Sequence, residues 1–261
     1  MASLLRKIFK RKAPPPLACS VSLGEDGHPV GEDPNHQHTA ACFTAFEPLA
    51  VLELFQSQSC VSCPPAIPSI HTASDDPNVL LLSYNVTLFD SAGWKDTFAN
   101  TNSDNRHRAY ARRWGRNSLF TPQIVANGAA DGNGRTAEEA RAVVHQGRDA
   151  IRTQGRNIYI DANDNEVRVD TDTLEAQPHE VLLVLFESKD QNIKVGKGPN
   201  KGKKLNHRNV VTDVIKVGDW TGGNAVWALP VSRRSLNQDS GAVVLLQEGG
   251  PGGLIAAAAR I

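Results

Sequence analysis

The 261-residue chain has no hydrophobic run long enough to cross a bilayer as a helix. Its longest apolar stretches, such as Val181-Leu182-Leu183-Val184-Leu185-Phe186, are strand-sized, whereas a membrane span needs about 20 apolar residues in a row. It also has no net charge, with 28 Lys+Arg against 28 Asp+Glu. Nothing in that balance demands nucleic acid or an anionic membrane as a partner. Cysteine is scarce at four residues, too few for a disulfide scaffold. The basic start, Met1 to Lys12, has no apolar segment ahead of its charges, so secretory export is not expected. No internal repeat is found, and no Walker-type phosphate loop. The segment Lys197-Gly198-Pro199-Asn200-Lys201-Gly202-Lys203-Lys204 lies among strand-like stretches and reads as a solvated hairpin loop.

The compartment expected from these absences is a reducing one, with a cytoplasmic location. A mitochondrial transit peptide stays open, because no acidic residue precedes Glu25. Residues 1–45, rich in Pro, Gly, His and charge, read as a disordered basic and Pro-rich leader.

From there the pattern divides. Between 46 and 155, buried strands at Ala50–Gln56, Val79–Val86 and Gln123–Ala126 alternate with helices at Pro64–Ala73, Arg106–Trp114 and from Thr136 to about Gln154. Continuous apolar strands separated by helices predict an α/β sheet. From 156 to 261 the segments are short, β-prone and punctuated by Gly, Asn and Asp. They predict a second, β-rich domain of sandwich or barrel-like form.

One motif carries chemistry. Cys60-Val61-Ser62-Cys63 falls at the junction between a buried strand and a helix. A thiolate attacks a disulfide, and a second thiol two residues on resolves the mixed disulfide. A helix N-terminus favours the thiolate, so Cys60 is the expected nucleophile and Cys63 the resolving thiol. Pro64-Pro65 suits a first helical turn and not its interior, which places Cys60 in the turn before the helix and weakens the dipole's help. Zinc sites use the same spacing but usually need four ligands. Cys19, Cys42, His36 and His38 in the leader are the available partners. Glu53, in the strand leading to the dithiol, has two readings: a proton acceptor for Cys63 with a raised pKa, or a carboxylate that lies at a strand edge or pairs with Lys or Arg. Trp94 is a groove-lining or core residue, and His71 reads as surface or packing.

The stretch Val51-Leu52-Glu53-Leu54-Phe55-Gln56-Ser57-Gln58-Ser59-Cys60-Val61-Ser62-Cys63-Pro64-Pro65-Ala66 resembles an uncharacterised thioredoxin-like family, domain of unknown function 1223, whose pattern runs close to E-L-F-T-S-Q-G-C-S-S-C-P-P-A. Gly93-Trp94-Lys95-Asp96-x-Phe98-Ala99, Arg108-Ala109-Tyr110-Ala111 and Phe120-Thr121-Pro122-Gln123-Ile124-Val125-x-Asn127-Gly128 match in order and spacing. Gly196-x-Gly198-x-Asn200-x-Gly202 followed by Asn209-Val210-Val211 is similar to the family's later signature. The chain departs from it at Asn85-Val86-Thr87-Leu88-Phe89-Asp90, where the family shows H-V-D-Y-W-D and two titratable positions are lost.

This resemblance implies a thioredoxin-like domain, with a central mixed sheet flanked by helices, ahead of the β-rich part. By the wider resemblance to thioredoxins, Thr121-Pro122 would be a cis-proline loop beside the dithiol, with Thr121, Pro122 and Trp94 shaping a substrate groove. An ordinary trans proline opening a strand is the alternative. The expected activity is thiol–disulfide exchange or redox sensing on a protein or small-molecule disulfide, with no cofactor. The rival readings are a non-catalytic binding or scaffold protein and, third, metal binding through the dithiol.

Overall fold

The computed structural model describes residues 48–172, 176–232 and 235–261. The leader, with Cys19, His36, His38 and Cys42, lies outside the described residues. In chain order the elements are β1 (Ala50–Gln56), α1 (Cys63–Ala73), β2 (Val79–Asn85), α2 (Thr101–Arg113), β3 (Gln123–Ala126), β4 (Ala130–Gly132), α3 (Ala137–Arg152), β5 (Ile158–Ala162), β6 (Glu166–Thr171), β7 (His179–Glu187), β8 (Gln191–Lys194), β9 (Lys204–His207), β10 (Val210–Trp220), β11 (Ala225–Ala228), β12 (Ser240–Glu248) and β13 (Ile255–Arg260).

The architecture is mixed α/β. An eight-stranded sheet runs in the order β13-β12-β7-β10-β2-β1-β3-β4. β1 and β2 are parallel, from Ala50 opposite Val79 to Gln56 opposite Asn85, while β3 is antiparallel to β1. Every residue of β1 and β2 is buried, because helices cover both faces, and a strand shielded on both sides reads as an unbroken apolar run. Leu52 and Leu54 face Ala66 and Ile70 of α1 and Val143 and Val144 of α3. Val51 and Phe55 point the other way, to Tyr110 of α2. Side chains alternate along a strand, so neighbours in sequence build two separate cores.

β10 joins β2 in parallel through Val210 opposite Ser83, and Ser83 N donates to Asn209 O at 2.9 Å. The expected domain boundary near residue 155 therefore falls between α3 and β5, while strands from both sides of it share one sheet. Residues 48–261 form one compact unit. In the β-rich part, a three-stranded sheet β11-β6-β5 packs Val167 and Val169 against Val181, Leu183, Val244 and Leu246. That is sheet-on-sheet packing, built onto one end of the large sheet.

Local signals decide the ends. Thr136 caps α3, accepting from Glu139 N at 3.2 Å. α2 starts at Thr101, five residues ahead of the Arg106 start expected, because Asn100 accepts from Ser103 N at 2.9 Å and holds a first turn with no apolar periodicity. β4 and β9 were not expected, being only 3 and 4 residues long. No helix of the described residues is long and apolar enough to cross a membrane.

Candidate dithiol site

β1 ends at Gln56, and the chain then turns through Ser57, Gln58 and Ser59 to reach Cys60. Backbone and side-chain bonds fix that turn. Cys60 N donates to Ser57 O at 3.1 Å, Gln58 N to Asp96 Oδ2 at 2.7 Å, and Ser59 Oγ to Trp94 O at 3.1 Å. Asp96 is itself buried and accepts from Asn85 Nδ2 at 3.1 and 3.0 Å and from Phe98 N at 2.8 Å. Asn85 and Thr87, where the family's two titratable residues are lost, thus serve as hydrogen-bonding residues. Thr87 Oγ1 donates to Asp104 Oδ2 at 2.6 Å.

α1 begins at Cys63, with Ser62 as an N-cap that makes no side-chain cap bond. Cys60 lies two residues before that cap, in the turn. Both thiols are free and buried, while Val61 between them is 63% exposed. The turn is closed by Cys63 N donating to Cys60 O at 3.4 Å. Phe89 packs over Cys60, Cys63 and Ile67.

The two thiols have opposite acidities. Cys60 is lowered from 9.0 to about 6. The largest cause is a hydrogen bond from Cys63, opposed by burial and helped by Thr121 and the N–H groups of Ser62 and Cys63. Cys63 is pushed well above the ordinary thiol value, first by burial and then by the neighbouring Cys60 sulfur. The environment thus biases Cys60 toward the thiolate and Cys63 toward the thiol.

The Thr121-Pro122 bond is cis, and the protonated form of Cys60 donates from Sγ to Thr121 O at 3.2 Å. Trp94 stands against the same turn through Ser59 and lies partly exposed. The structure therefore brings Cys60, Cys63, Thr121, Pro122 and Trp94 together.

It does not bring Glu53 to them. Glu53 sits with Val51 and Phe55 on the α2 face of β1, whereas α1 covers the other face. Its carboxylate pairs with Arg106, whose Nη2 donates to Oε2 at 3.1 Å, and accepts from the Tyr110 hydroxyl. Of the two readings of Glu53, the pairing with Arg is the one observed. His71 is 7% exposed on α1, and burial lowers its pKa to about 4.

Asn200 is the residue that sequence reasoning missed. It carries no reactive group, and its only sequence signal was its place in the late G-x-G-x-N-x-G signature. It is fully buried, and its Nδ2 donates to Gln58 O at 3.0 Å and Cys60 O at 2.7 Å. Among the described residues no group of three or more His, Cys, Asp or Glu side chains is arranged to hold a metal ion.

Fold and site together define a mixed α/β protein with a buried dithiol at the junction of β1 and α1. The family model described as Protein of unknown function (DUF1223) matches residues 51–247, and the chain belongs to that family. A protein from Agrobacterium tumefaciens, solved by X-ray crystallography as a structural genomics target, is similar at 28% identity with a TM-score of 0.64. The match covers 83% of this chain and 95% of that one. HBP35 of Porphyromonas gingivalis shares the fold at 13% identity and a TM-score of 0.50, over 83% of this chain and 75% of that one. No curated protein sequence matches the chain.

Proposed function

We propose that the protein is a thiol–disulfide oxidoreductase or redox sensor of thioredoxin-like fold, acting through Cys60 and Cys63. The observation that carries this reading is the seat of the dithiol: Cys63 opens α1, Cys60 lies in the turn before it, and Cys60 Sγ is 3.2 Å from Thr121 O of the cis Thr121-Pro122 bond, with Cys60 lowered to about 6 beside Cys63. The Cys60 thiolate attacks one sulfur of a substrate disulfide, forming a mixed disulfide and expelling the first substrate thiolate. Cys63 then gives up its proton and attacks the Cys60 sulfur, closing the Cys60–Cys63 disulfide and releasing the second. Two electrons pass from the dithiol to the substrate disulfide, and no cofactor takes part. The proton of Cys63 goes to solvent or to the departing thiolate, since Glu53 is engaged by Arg106 elsewhere.

The test is a redox titration of the pair against glutathione buffers, read by alkylation and mass spectrometry. A reversible two-electron couple with a potential between about −270 and −120 mV supports the reading. If no disulfide forms between Cys60 and Cys63 at any poise, it falls. The second reading, a non-catalytic binding protein, is favoured by one observation: Asn85 and Thr87 are engaged by Asp96 and Asp104 where the family carries titratable groups. Turnover with a disulfide substrate ends that reading.

A further inference from the structure

We propose that Asn200, held by Lys203, is a positioning residue of the dithiol, so that the β8–β9 hairpin completes the site from the far half of the chain. The inference rests on reading Cys60 and Cys63 as the working groups. It begins with a weakness of the CxxC turn. Helix N-termini ordinarily present free N–H groups that hold the preceding loop, but Pro64 and Pro65 supply none. Ser62 makes no side-chain cap bond, and the single backbone bond closing the turn, Cys63 N to Cys60 O, is long at 3.4 Å. The turn needs a brace from outside.

Asn200 provides it. The residue is 0% exposed. Its Nδ2 donates to Cys60 O at 2.7 Å and to Gln58 O at 3.0 Å, across 140 and 142 positions of sequence. Its Oδ1 accepts from Lys203 Nζ at 2.9 Å, which settles which way the amide points and polarises it toward the two carbonyls. The hairpin is itself braced: Val195 N donates to Lys203 O at 2.9 Å, Gly202 N to Val195 O at 2.8 Å and Lys201 N to Gly198 O at 3.0 Å. It also lies close to the turn. At Gly198, with φ +77, a Cβ would sit 3.1 Å from Ser59 Oγ and from the Trp94 ring. A turn fastened in this way keeps Cys63 Sγ within reach of Cys60 Sγ. Released, it loses the contact on which the thiolate chiefly depends.

The experiment uses the full, reduced chain. Iodoacetamide alkylation at Cys60 is followed against pH by fragmentation mass spectrometry, beside a thermal melt, for wild type, Asn200→Ala, Lys203→Met and the control Lys201→Met. Asn200→Ala is expected to raise the Cys60 midpoint by about one pH unit, a roughly tenfold loss of thiolate below it. Lys203→Met, at an exposed position, should move it the same way by less, and Lys201→Met not at all. If Asn200→Ala melts earlier but titrates as wild type, the contact is structural only and the proposal is overturned. Should Asn200→Ala fail to fold, an unmoved midpoint in Lys203→Met overturns it equally. The profile needs no disulfide, so a wild-type dithiol that never oxidises removes the oxidoreductase reading without touching this measurement.

Discussion

Arg106 on α2 lies against Glu53 on β1, and the pair is sealed inside the protein at 6% and 0% side-chain exposure. Arg106 Nη1 also donates to Gln247 Oε1 on β12 at 3.0 Å, so one guanidinium ties a helix to strands from both halves of the chain. Arg106 is held charged, since the Glu53 carboxylate outweighs the burial that opposes it. Breaking one partner strands a buried charge. Glu53→Gln and Arg106→Met are each expected to cost about 3–5 kcal/mol in urea unfolding, and the double replacement Glu53→Leu/Arg106→Met less than the two singles combined. Because Glu53 faces away from α1, the rate at which the Cys60–Cys63 disulfide closes in folded Glu53→Gln should match wild type.

Cys63 is the main cause of the low Cys60 pKa. Cys63→Ala, which cannot donate a hydrogen bond, should therefore move the alkylation midpoint of Cys60 up from about 6 toward 9.0. Stopped-flow alkylation across pH measures this directly, and a midpoint that stays put would assign the thiolate's stability to Thr121 and the backbone instead.

The same shift makes the reduced protein's stability depend on pH. Cys60 titrates at 9.0 when unfolded and at about 6 when folded, so the folded state binds fewer protons between those values. Stability from this group rises through that window, is complete above 9.0 and is lost as pH falls through 6. Cys63, raised by burial, acts in the opposite sense and only above the ordinary thiol value. Urea midpoints of reduced wild type should thus climb across the window relative to Cys60→Ser; parallel curves would refute the shift.

Asp96 holds Gln58 N, Phe98 N and Asn85 Nδ2 at once. In Asp96→Asn an amide donor replaces one acceptor among those three donors, and the expected loss is about 1.5–3 kcal/mol. Hydrogen exchange at the Gln58 amide should quicken along with it, which a purely global destabilisation below the exchange threshold would not produce.

At Gly128 the backbone is left-handed, with φ +66, and a Cβ would lie 2.1 Å from Gly253 O. Here the β3–β4 turn touches the approach to β13, and Ile255 N donates to Asn127 O at 2.8 Å. Gly128→Ala combines a strained conformation with a backbone clash and should cost more than about 2 kcal/mol. A urea midpoint near wild type would mean that β13 shifts freely.

Much of this was legible in one dimension. The limits of β1 and β3, the start of α3 at its Thr136 cap and the seat of Cys60-Val61-Ser62-Cys63 between strand and helix all follow from periodicity, capping and turn residues, which act within a few positions of one another. Other features have no local signature. That Glu53 would find Arg106, that β10 would lie beside β2, and that Asn200 would reach Cys60 across 140 positions depend on which surfaces meet once the sheet is assembled. Hydrogen-bond partners that distant are selected by packing geometry, and a buried asparagine is indistinguishable in sequence from one in a solvated loop. Local chemistry placed the two sulfurs; the tertiary structure decided what holds them.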